Sequence, residues 1–500
     1  MTSSSAAATT DLDAVVSAAV AAYEQWSVLD PGVRADALLA AATALDENAD
    51  ELITLGLAET GLTRPRLTGE RTRTAVQLRL FADVIRAGEY LDVRIDAADP
   101  DFAIGPRPAV RRTLWPVGPV LNFAAGNFPL AFSVIGGDSV AALAAGCSVI
   151  VKVHPGHPQL SALTAQLVRS ALDSAGAPAD LLQIVSGEQE GVELLQHSGI
   201  RAAAFTGSTR GGVFLAGLAA ARDTPIPFFG ELGSVNPVYL TAAALTERGD
   251  AIADAFVASV AGSAGQLCTK PGFVVAPEHE KFGERIAAAA SEVGEHRLLS
   301  EKIGDAYRER RTALMDTPGM QVVAAGSVRV DDDGHTWATP TVLRMTEQDL
   351  RAAGDDALEE CFGPLAVIVT VTGGSDLAAL QYELFPGNLT TTLHLAGGEV
   401  SPTLAALVTA AAQTSGRVLF DGWPTGVAVT PAMQHGGPFP ATTVDTTSVG
   451  TAAIGRFLRG VSFQSTPDAL LPPPLQDANP WHVPRTEAPA GESAHWGRAG

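Results

Sequence analysis

Residues 202–212 read AAAFTGSTRGG and indicate how this 500-residue chain folds. A short apolar run ends at a Gly-Ser turn, and a helix-forming segment follows, as expected for a buried strand that leads into a helix. The same alternation of strand and helix runs from about residue 130 to residue 230. Alternating strands and helices are typical of βαβ units and a parallel sheet. The chain is therefore predicted to have an α/β fold.

The alternation repeats further along the chain and predicts a second α/β lobe. Short apolar runs at 238–240, 272–275, 320–323 and 365–371 are its expected strands. Residues 11–90 are predicted to be helical, because apolar side chains recur every three or four positions. Residues 98–118 alternate in polarity and contain prolines, which favours an extended hairpin. A chain of this length needs more than one core.

Composition excludes several classes of function. Lys and Arg number 33 against 55 Asp and Glu, giving a net charge of −22, which argues against a nucleic-acid partner. No apolar run is long enough to span a membrane. Three cysteines are too few for a disulfide scaffold and fit the reducing cytoplasm. Residues 1–10 are rich in Ser, Ala and Thr and are predicted to be a disordered start, not a signal peptide.

Two short segments carry candidate catalytic groups. Cys268 lies in GQLCT at 265–269, and Glu231 lies in GELG at 230–233. A thiol attacks only as the thiolate, and a nearby carboxylate could take its proton and later activate a water against a thioester. Flanking glycines would let the backbone N–H of Cys268 face an oxyanion. A lone cysteine is more often a small buried apolar residue, and we expect that role for Cys147 and Cys361.

Six segments, in order, resemble the aldehyde dehydrogenase family. They are GNFPL at 126–130, VIVK at 149–152, FTGSTRGG at 205–212, GELG at 230–233, GQLCT at 265–269 and EECFGP at 359–364. The resemblance extends from about residue 15 to about residue 465. It implies Cys268 as nucleophile, Glu231 as general base and Asn127 as oxyanion-hole donor. It also implies two Rossmann-like parallel-sheet lobes, a small β oligomerisation arm, a small-molecule aldehyde substrate, and a homodimer or homotetramer.

The resemblance further implies a nicotinamide cofactor. Lys152 would hold the cofactor ribose, Gly207 and Ser208 would lie under the pyrophosphate, and Glu360 would hold the nicotinamide ribose. The remaining implied cofactor-binding residues are Phe123, Ala124, His154, Arg210, Leu232 and Phe362. The chain has no G-x-G-x-x-G segment, so the usual dinucleotide fingerprint is absent. A Gly-Ser turn into a helix is by itself more often an N-cap than a phosphate site.

The residues after Lys152 bear on which cofactor is used. NAD-preferring relatives often place a glutamate three positions after this lysine, where Pro155 stands here. Arg210 and His154 could bind a 2′-phosphate, although both could also be ordinary surface polar residues. NADP is therefore the expected cofactor, with NAD possible. The ten histidines have no H-E-x-x-H or C-x-x-C pattern, so no metal site is expected.

The motifs divide the chain into five expected parts. They are a disordered start at 1–10, a cofactor-binding domain at 11–97 and 119–230, an oligomerisation hairpin and arm at 98–118 and 446–480, a catalytic domain at 231–445, and a flexible tail at 481–500.

Three segments resemble one subgroup of the family. They are VHPGHP at 153–158, GWPTGV at 422–427 and HGGPFPAT at 435–442, the last standing where most members carry P-F-G-G-x-K. The subgroup oxidises 2-oxoglutarate semialdehyde with NADP to the acid, through a cysteine thiohemiacetal and thioester. Alternatives are a broad-specificity or long-chain aldehyde dehydrogenase, and an acylating enzyme that passes the thioester to coenzyme A. From another class, the chain could be a catalytically silent protein on the same fold. Glu231 counts against the acylating enzyme, and the intact trio of Cys268, Glu231 and Asn127 counts against a silent protein.

Overall fold

The computed structural model describes residues 11–497, so the predicted disordered start at 1–10 lies outside the described residues. The chain begins with four helices, as predicted: α1 (Leu12–Trp26), α2 (Pro31–Glu47), α3 (Ala49–Thr60) and α4 (Arg64–Ala87). Asp30 caps α2 by accepting the N–H of Gly32, and Pro31 occupies the first turn, which explains the break between α1 and α2. Two short strands follow, β1 (Val93–Asp96) and β2 (Val110–Pro116).

The first lobe contains a five-stranded parallel sheet. Its strands are β3 (Val120–Phe123), β4 (Val149–Lys152), β5 (Leu182–Val185), β6 (Ala202–Thr206) and β7 (Phe228–Glu231), in the order β5-β4-β3-β6-β7. The connecting helices are α5 (Asp138–Ala145), α6 (Pro158–Ser174), α7 (Glu188–Gln196) and α8 (Thr209–Ala220). A large apolar core joins α2, α4 and α5 to this sheet. This parallel sheet confirms the predicted fold class for the first lobe.

The helix predicted from residue 134 begins four residues later, at Asp138. Gly136 and Gly137 form a tight loop in which a Cβ at Gly136 would collide with the carbonyl oxygen of Ala131. Gly137 has a φ of 54°, which disfavours other residues. The apolar pattern of residues 134–137 therefore belongs to a loop.

The second lobe contains a seven-stranded sheet in the order β11-β14-β15-β9-β8-β16-β17. Only β11 is antiparallel to its neighbour among these described strands. The strands of this lobe are β8 (Val238–Leu240), β9 (Phe273–Pro277), β10 (His296–Arg297), β11 (Gln321–Ala324), β12 (Val328–Val330), β13 (Thr336–Ala338), β14 (Thr341–Thr346), β15 (Leu365–Val371), β16 (Asn388–His394) and β17 (Ser415–Phe420). Strands β10, β12 and β13 form a separate small sheet.

The helices of the second lobe cover its larger sheet. They are α9 (Ala242–Ala261), α10 (Glu280–Ser291), α11 (Glu301–Met315), α12 (Glu347–Ala353), α13 (Asp355–Leu358), α14 (Leu377–Leu384) and α15 (Pro402–Thr414). Two apolar clusters pack around the sheet. Together the lobes confirm two Rossmann-like parallel-sheet units.

A fourth sheet, of four strands, has the order β18-β2-β1-β19, with β18 at Leu458–Gln464 and β19 at Arg485–Ala488. The prediction of a flexible tail at 481–500 is wrong for residues 485–488, because β19 pairs in parallel with β1. This pairing satisfies backbone groups that β1 would otherwise leave open. Residues 93–96, which we expected in the cofactor-binding domain at 11–97, likewise belong to this sheet. No described helix is both long and apolar enough to cross a membrane.

Candidate active site

The candidate nucleophile lies on a loop between α9 and β9. Ser263, Ala264 and Gly265 all have positive φ values, of 50°, 53° and 65°. A Cβ at Gly265 would collide with the carbonyl oxygen of Gly363, so a glycine is required there. This left-handed turn brings the chain sharply from the end of α9 to Cys268.

Asn236 holds the other side of the same loop. Its Nδ2 donates to the carbonyl oxygen of Cys268 at 2.8 Å and to that of Lys270 at 3.0 Å. Its Oδ1 accepts hydrogen bonds from Ser234 and Thr390, and the side chain is buried. The position of Cys268 is therefore fixed by a fully bonded amide, and sequence analysis assigned no role to Asn236.

Glu231 ends β7 and points into a buried polar cluster. Its side chain is 3% exposed. Oε1 lies 3.0 Å from Nε2 of His435, and Oε2 accepts a hydrogen bond from Ser448 Oγ at 2.7 Å. Burial raises the pKa of this carboxyl, but His435 and Ser448 outweigh burial and lower it to about 2. Glu231 is therefore ionised at neutral pH.

Cys268 lies beside Glu231 and shares His435 with it. The Sγ atom is 3.7 Å from Nε2 of His435, and the ligand atoms of the three side chains lie within 4.8 Å of one another. Desolvation and then the charge of Glu231 raise the pKa of the thiol well above its usual range. Cys268 therefore rests as a thiol. The three side chains could also surround a metal ion, so the expected absence of a metal stays a prediction.

Asn127 is held next to the nucleophile loop. Its Nδ2 donates to the carbonyl oxygen of Gln266 at 3.0 Å. The buried carboxylate of Glu70 accepts the backbone N–H groups of Leu130 and Ala131, at 2.7 and 2.9 Å. Arg66 pairs with Glu70 at 2.5 Å and donates to the carbonyl oxygen of Asn127 at 3.2 Å. Helix α4 thus fixes the loop that carries the expected oxyanion donor.

The structure brings the three predicted catalytic residues into one site and adds two that the sequence analysis missed. His435 lies 167 residues after Cys268, and Ser448 lies 217 residues after Glu231. His435 opens the HGGPFPAT segment, which identified a subgroup but gave no role to the histidine. Cys147 and Cys361 are buried, as predicted.

Most predicted cofactor-binding residues lie at the carboxyl edge of the five-stranded sheet. Phe123 and Lys152 end β3 and β4, and Ala124 follows Phe123. Lys152 donates no hydrogen bond to any residue between 11 and 497, so its ammonium is available to a ligand. A Cβ at Gly191 would lie 3.0 Å from both the Phe123 ring and Lys152 Cγ, so α7 approaches this edge closely. An unpartnered ammonium at a strand end fits a site for ribose hydroxyls.

Helix α8 begins beside that edge. Gly207 and Ser208 are exposed, and Ser208 Oγ accepts the N–H of Gly211 at 3.2 Å, so this serine is an N-cap. Arg210 is exposed and makes no ion pair with the described residues. The start of α8 therefore presents a positive dipole end and a free guanidinium, which together suit a phosphate group.

Three other predicted cofactor-binding residues are Glu360, Leu232 and Phe362. Burial raises the pKa of Glu360 to about 7, although the ammonium of Lys270 acts to lower it. A Cβ added at Gly233 would lie 2.6 Å from Glu360 Oε2. Glu360 thus faces the segment that contains the buried Leu232. The ring of Phe362 packs against an apolar cluster that includes Leu67 of α4.

His154 carries no charge near neutral pH. Burial, with a contribution from His157, lowers its pKa to about 3. Its Nδ1 accepts the N–H of Gly156 at 3.1 Å, and the ring lies against Gly126. His154 could therefore contact a 2′-phosphate only as a neutral imidazole.

Comparisons with known sequences identify related proteins. The family model described as "Aldehyde dehydrogenase family" matches residues 1–381. The chain is 42% identical over 465 residues to alpha-ketoglutaric semialdehyde dehydrogenase 2 of Azospirillum brasilense, covering 90% of this chain and 87% of that protein. It is 39% identical over 481 residues to alpha-ketoglutaric semialdehyde dehydrogenase of Acinetobacter baylyi, covering 95% and 90%.

Solved structures share the fold. The aldehyde dehydrogenase KauB from Pseudomonas aeruginosa superposes with a TM-score of 0.76 at 22% identity, covering 91% of this chain and 89% of that chain. An indole-3-acetaldehyde dehydrogenase in complex with NAD+ gives 0.75 at 23% identity, covering 91% and 89%. The family model and the two relatives show that this chain belongs to the aldehyde dehydrogenase family.

Proposed function

We propose that this enzyme oxidises the aldehyde group of 2-oxoglutarate semialdehyde to give 2-oxoglutarate, with NADP as the preferred cofactor. The observation that carries the chemistry is the placement of one histidine nitrogen between Cys268 Sγ, at 3.7 Å, and Glu231 Oε1, at 3.0 Å. The names of the two relatives that cover most of this chain support the substrate.

The first step is attack of Cys268 on the aldehyde carbon. Because the thiol is protonated at rest, its proton has to leave as the carbon–sulfur bond forms. The ionised carboxylate of Glu231, which acts directly on the thiol, takes this proton. Nε2–H of His435 and Oγ–H of Ser448 donate to the two oxygens of this carboxylate and hold it in place.

The second requirement is a site for the oxyanion of the thiohemiacetal. The amide of Asn127 lies at the nucleophile loop, 3.0 Å from the carbonyl oxygen of Gln266. A small rotation of the amide directs Nδ2 at the substrate oxygen, beside the backbone N–H of Cys268. Fixed donors aimed at a developing charge are among the largest contributions to catalysis.

When bound, the nicotinamide cofactor accepts a hydride and leaves a thioester on Cys268. Lys152 and Glu360 would hold its two riboses, and the start of α8 at Ser208 would face its pyrophosphate. Glu231 then passes the thiol proton to solvent and is ionised again. Its carboxylate activates the water that releases the acid.

The choice of NADP depends on the charges near the ribose. Pro155 is exposed and presents no carboxylate, while Arg210 is free to pair with a 2′-phosphate. Glu188 and Glu190 act on Lys152 and partly offset its charge. Arg210 is thus the residue that most favours NADP, and NAD remains the alternative.

Assembly and compartment stay predictions. The four-stranded sheet that contains β18 is the expected contact surface of a homodimer or homotetramer. The reducing cytoplasm remains the expected location, since Cys147, Cys268 and Cys361 are all free thiols.

The test is the absorbance of reduced cofactor when purified protein is mixed with 2-oxoglutarate semialdehyde and either NADP or NAD. We expect turnover without coenzyme A and a higher kcat/KM with NADP. Higher kcat/KM for long unbranched aldehydes would contradict the proposed substrate. Dependence on coenzyme A would instead identify an acylating enzyme, and absence of turnover on any aldehyde would identify a silent protein.

A further inference from the structure

We propose that Arg73 binds the distal carboxylate of the substrate and so selects aldehydes that carry a terminal acid group. The inference rests on the proposed function, since it assigns the residue that recognises the far end of a semialdehyde. Arg73 lies on α4, far from every catalytic motif in the sequence. Three features of its surroundings and the chemistry of the ligand support the assignment.

The first is position. The guanidinium carbon of Arg73 lies 4.8 Å from the centre of the Phe132 ring, above its face. Phe132 packs edge-on against Phe128, the residue next to Asn127. Glu70 acts most strongly on the charge of Arg73, followed by Cys268 and Glu231, which places Arg73 within electrostatic range of the proposed reacting groups.

The second is the absence of a protein partner. Nη1 of Arg73 is buried and forms no hydrogen bond, and the side chain makes no ion pair with any residue in 11–497. Burial also lowers the pKa of this guanidinium. A buried, unpaired N–H of a cation costs free energy that a bound carboxylate would recover. An incoming anion is therefore the partner that this group lacks.

The third is the contrast with two neighbouring arginines. Arg66 lies 4.3 Å from the Phe128 ring, but Glu70 neutralises it at 2.5 Å. Arg417 is also close enough to interact with the charge of Cys268, but both of its Nη atoms donate to the carbonyl oxygens of Pro424 and Gly426. Among these three arginines, only Arg73 has both Nη groups free of hydrogen bonds to residues 11–497.

The fourth is the chemistry of the ligand. A short semialdehyde presents an aldehyde to Cys268, a few carbons to an apolar wall and a carboxylate beyond them. Phe128 and Phe132 supply the wall, and Arg73 lies over the second of these rings. The ionised Glu231 would repel an anionic substrate. A guanidinium at the far end offsets this repulsion, and its planar fork suits a carboxylate.

The experiment compares two aldehydes of similar length, 2-oxoglutarate semialdehyde and pentanal, in Arg73→Met. We expect kcat/KM for the semialdehyde to fall roughly ten- to hundredfold, mainly through KM, with pentanal nearly unchanged. Arg73→Lys should recover part of the loss, because it restores the charge without the fork. Arg79→Met is the matched control, since Arg79 lies on the same helix and pairs with Asp46 at the surface.

A second readout does not depend on turnover of the charged substrate. The product, 2-oxoglutarate, should inhibit pentanal oxidation by the wild-type enzyme and inhibit Arg73→Met at least tenfold more weakly. Equal losses for both aldehydes, with unchanged inhibition, would show that Arg73 only supports the fold and would overturn the inference alone. A wild-type enzyme that does not prefer the semialdehyde over pentanal would overturn the proposed function, and the inference with it.

Discussion

Two regions of the chain contribute to the active site in different ways. Residues 1–381 match the family model and contain Cys268, Glu231 and Asn127. The loop from 422 to 450 lies beyond that match and contributes His435 and Ser448, which hold both oxygens of Glu231. The first region thus contains the proposed reacting groups, and the second supplies the side-chain donors that hold the carboxylate of Glu231.

Hydrogen bonds within this loop fix the positions of His435 and Ser448. The backbone N–H of His435 donates to Thr447 Oγ1 at 2.9 Å, and the N–H of Ser448 donates to the carbonyl oxygen of His435 at 2.8 Å. Ser448 is buried, and His435 is 1% exposed. Both hydrogen bonds oppose the effect of burial, which by itself raises the pKa of the Glu231 carboxyl.

The largest expected effect tests the first region. Cys268→Ser should bind cofactor and fold normally but lose dehydrogenase activity, because a hydroxyl is a far weaker nucleophile near neutral pH. Cys147→Ser is the control, since burial raises the pKa of that thiol to about 12. Turnover of the Cys268→Ser variant close to wild type, measured by cofactor absorbance, would remove Cys268 from the mechanism.

Asn127→Ala should come next in size. Loss of one oxyanion donor should lower kcat by roughly two to three powers of ten, with little change in cofactor affinity. Steady-state kinetics and cofactor titration separate the two quantities. If only KM changed, Asn127 would be a binding residue, and the oxyanion would need another donor.

Arg210→Ala should have a more selective effect. A charge-assisted arginine contact supports a preference for NADP of about ten- to a hundredfold in kcat/KM, and the variant should lose most of it. Turnover with NAD should be nearly unchanged, and Pro155→Glu should move the preference further towards NAD. A wild-type preference for NAD, or equal weakening of both cofactors in Arg210→Ala, would contradict this assignment.

Ser448→Ala should have the smallest effect, visible mainly at acid pH. Removing this hydrogen bond raises the pKa of Glu231 from about 2, because burial is then opposed only by His435 and the charge of Arg456. A base has to be deprotonated, so the acid limb of kcat should move to higher pH by about one unit, with the rate at the optimum little changed. An acid limb that coincides with wild type would mean that Ser448 does not control Glu231.

The comparison also shows what the sequence could reveal. Cys268, Glu231 and Asn127 stand in short motifs, so the resemblance located them, and alternation of strand and helix located both lobes. His435 and Arg73 could not be placed in this way, because each reaches the site only through long-range packing. Strand β19 was missed because RTEA has no apolar alternation and forms only by pairing with β1.

The most direct test is rapid-mixing kinetics of His435→Gln and Glu231→Gln with NADP and the semialdehyde. In this account Glu231 takes and gives the protons, while His435 positions its carboxylate. Glu231→Gln should slow hydrolysis of the thioester most, so that a burst of one reduced cofactor per active site precedes a slow steady state. His435→Gln keeps an amide donor for Glu231, so both phases should slow by a much smaller factor and no burst should appear. A first turnover that is lost in His435→Gln but kept in Glu231→Gln would make the histidine the base and contradict this account.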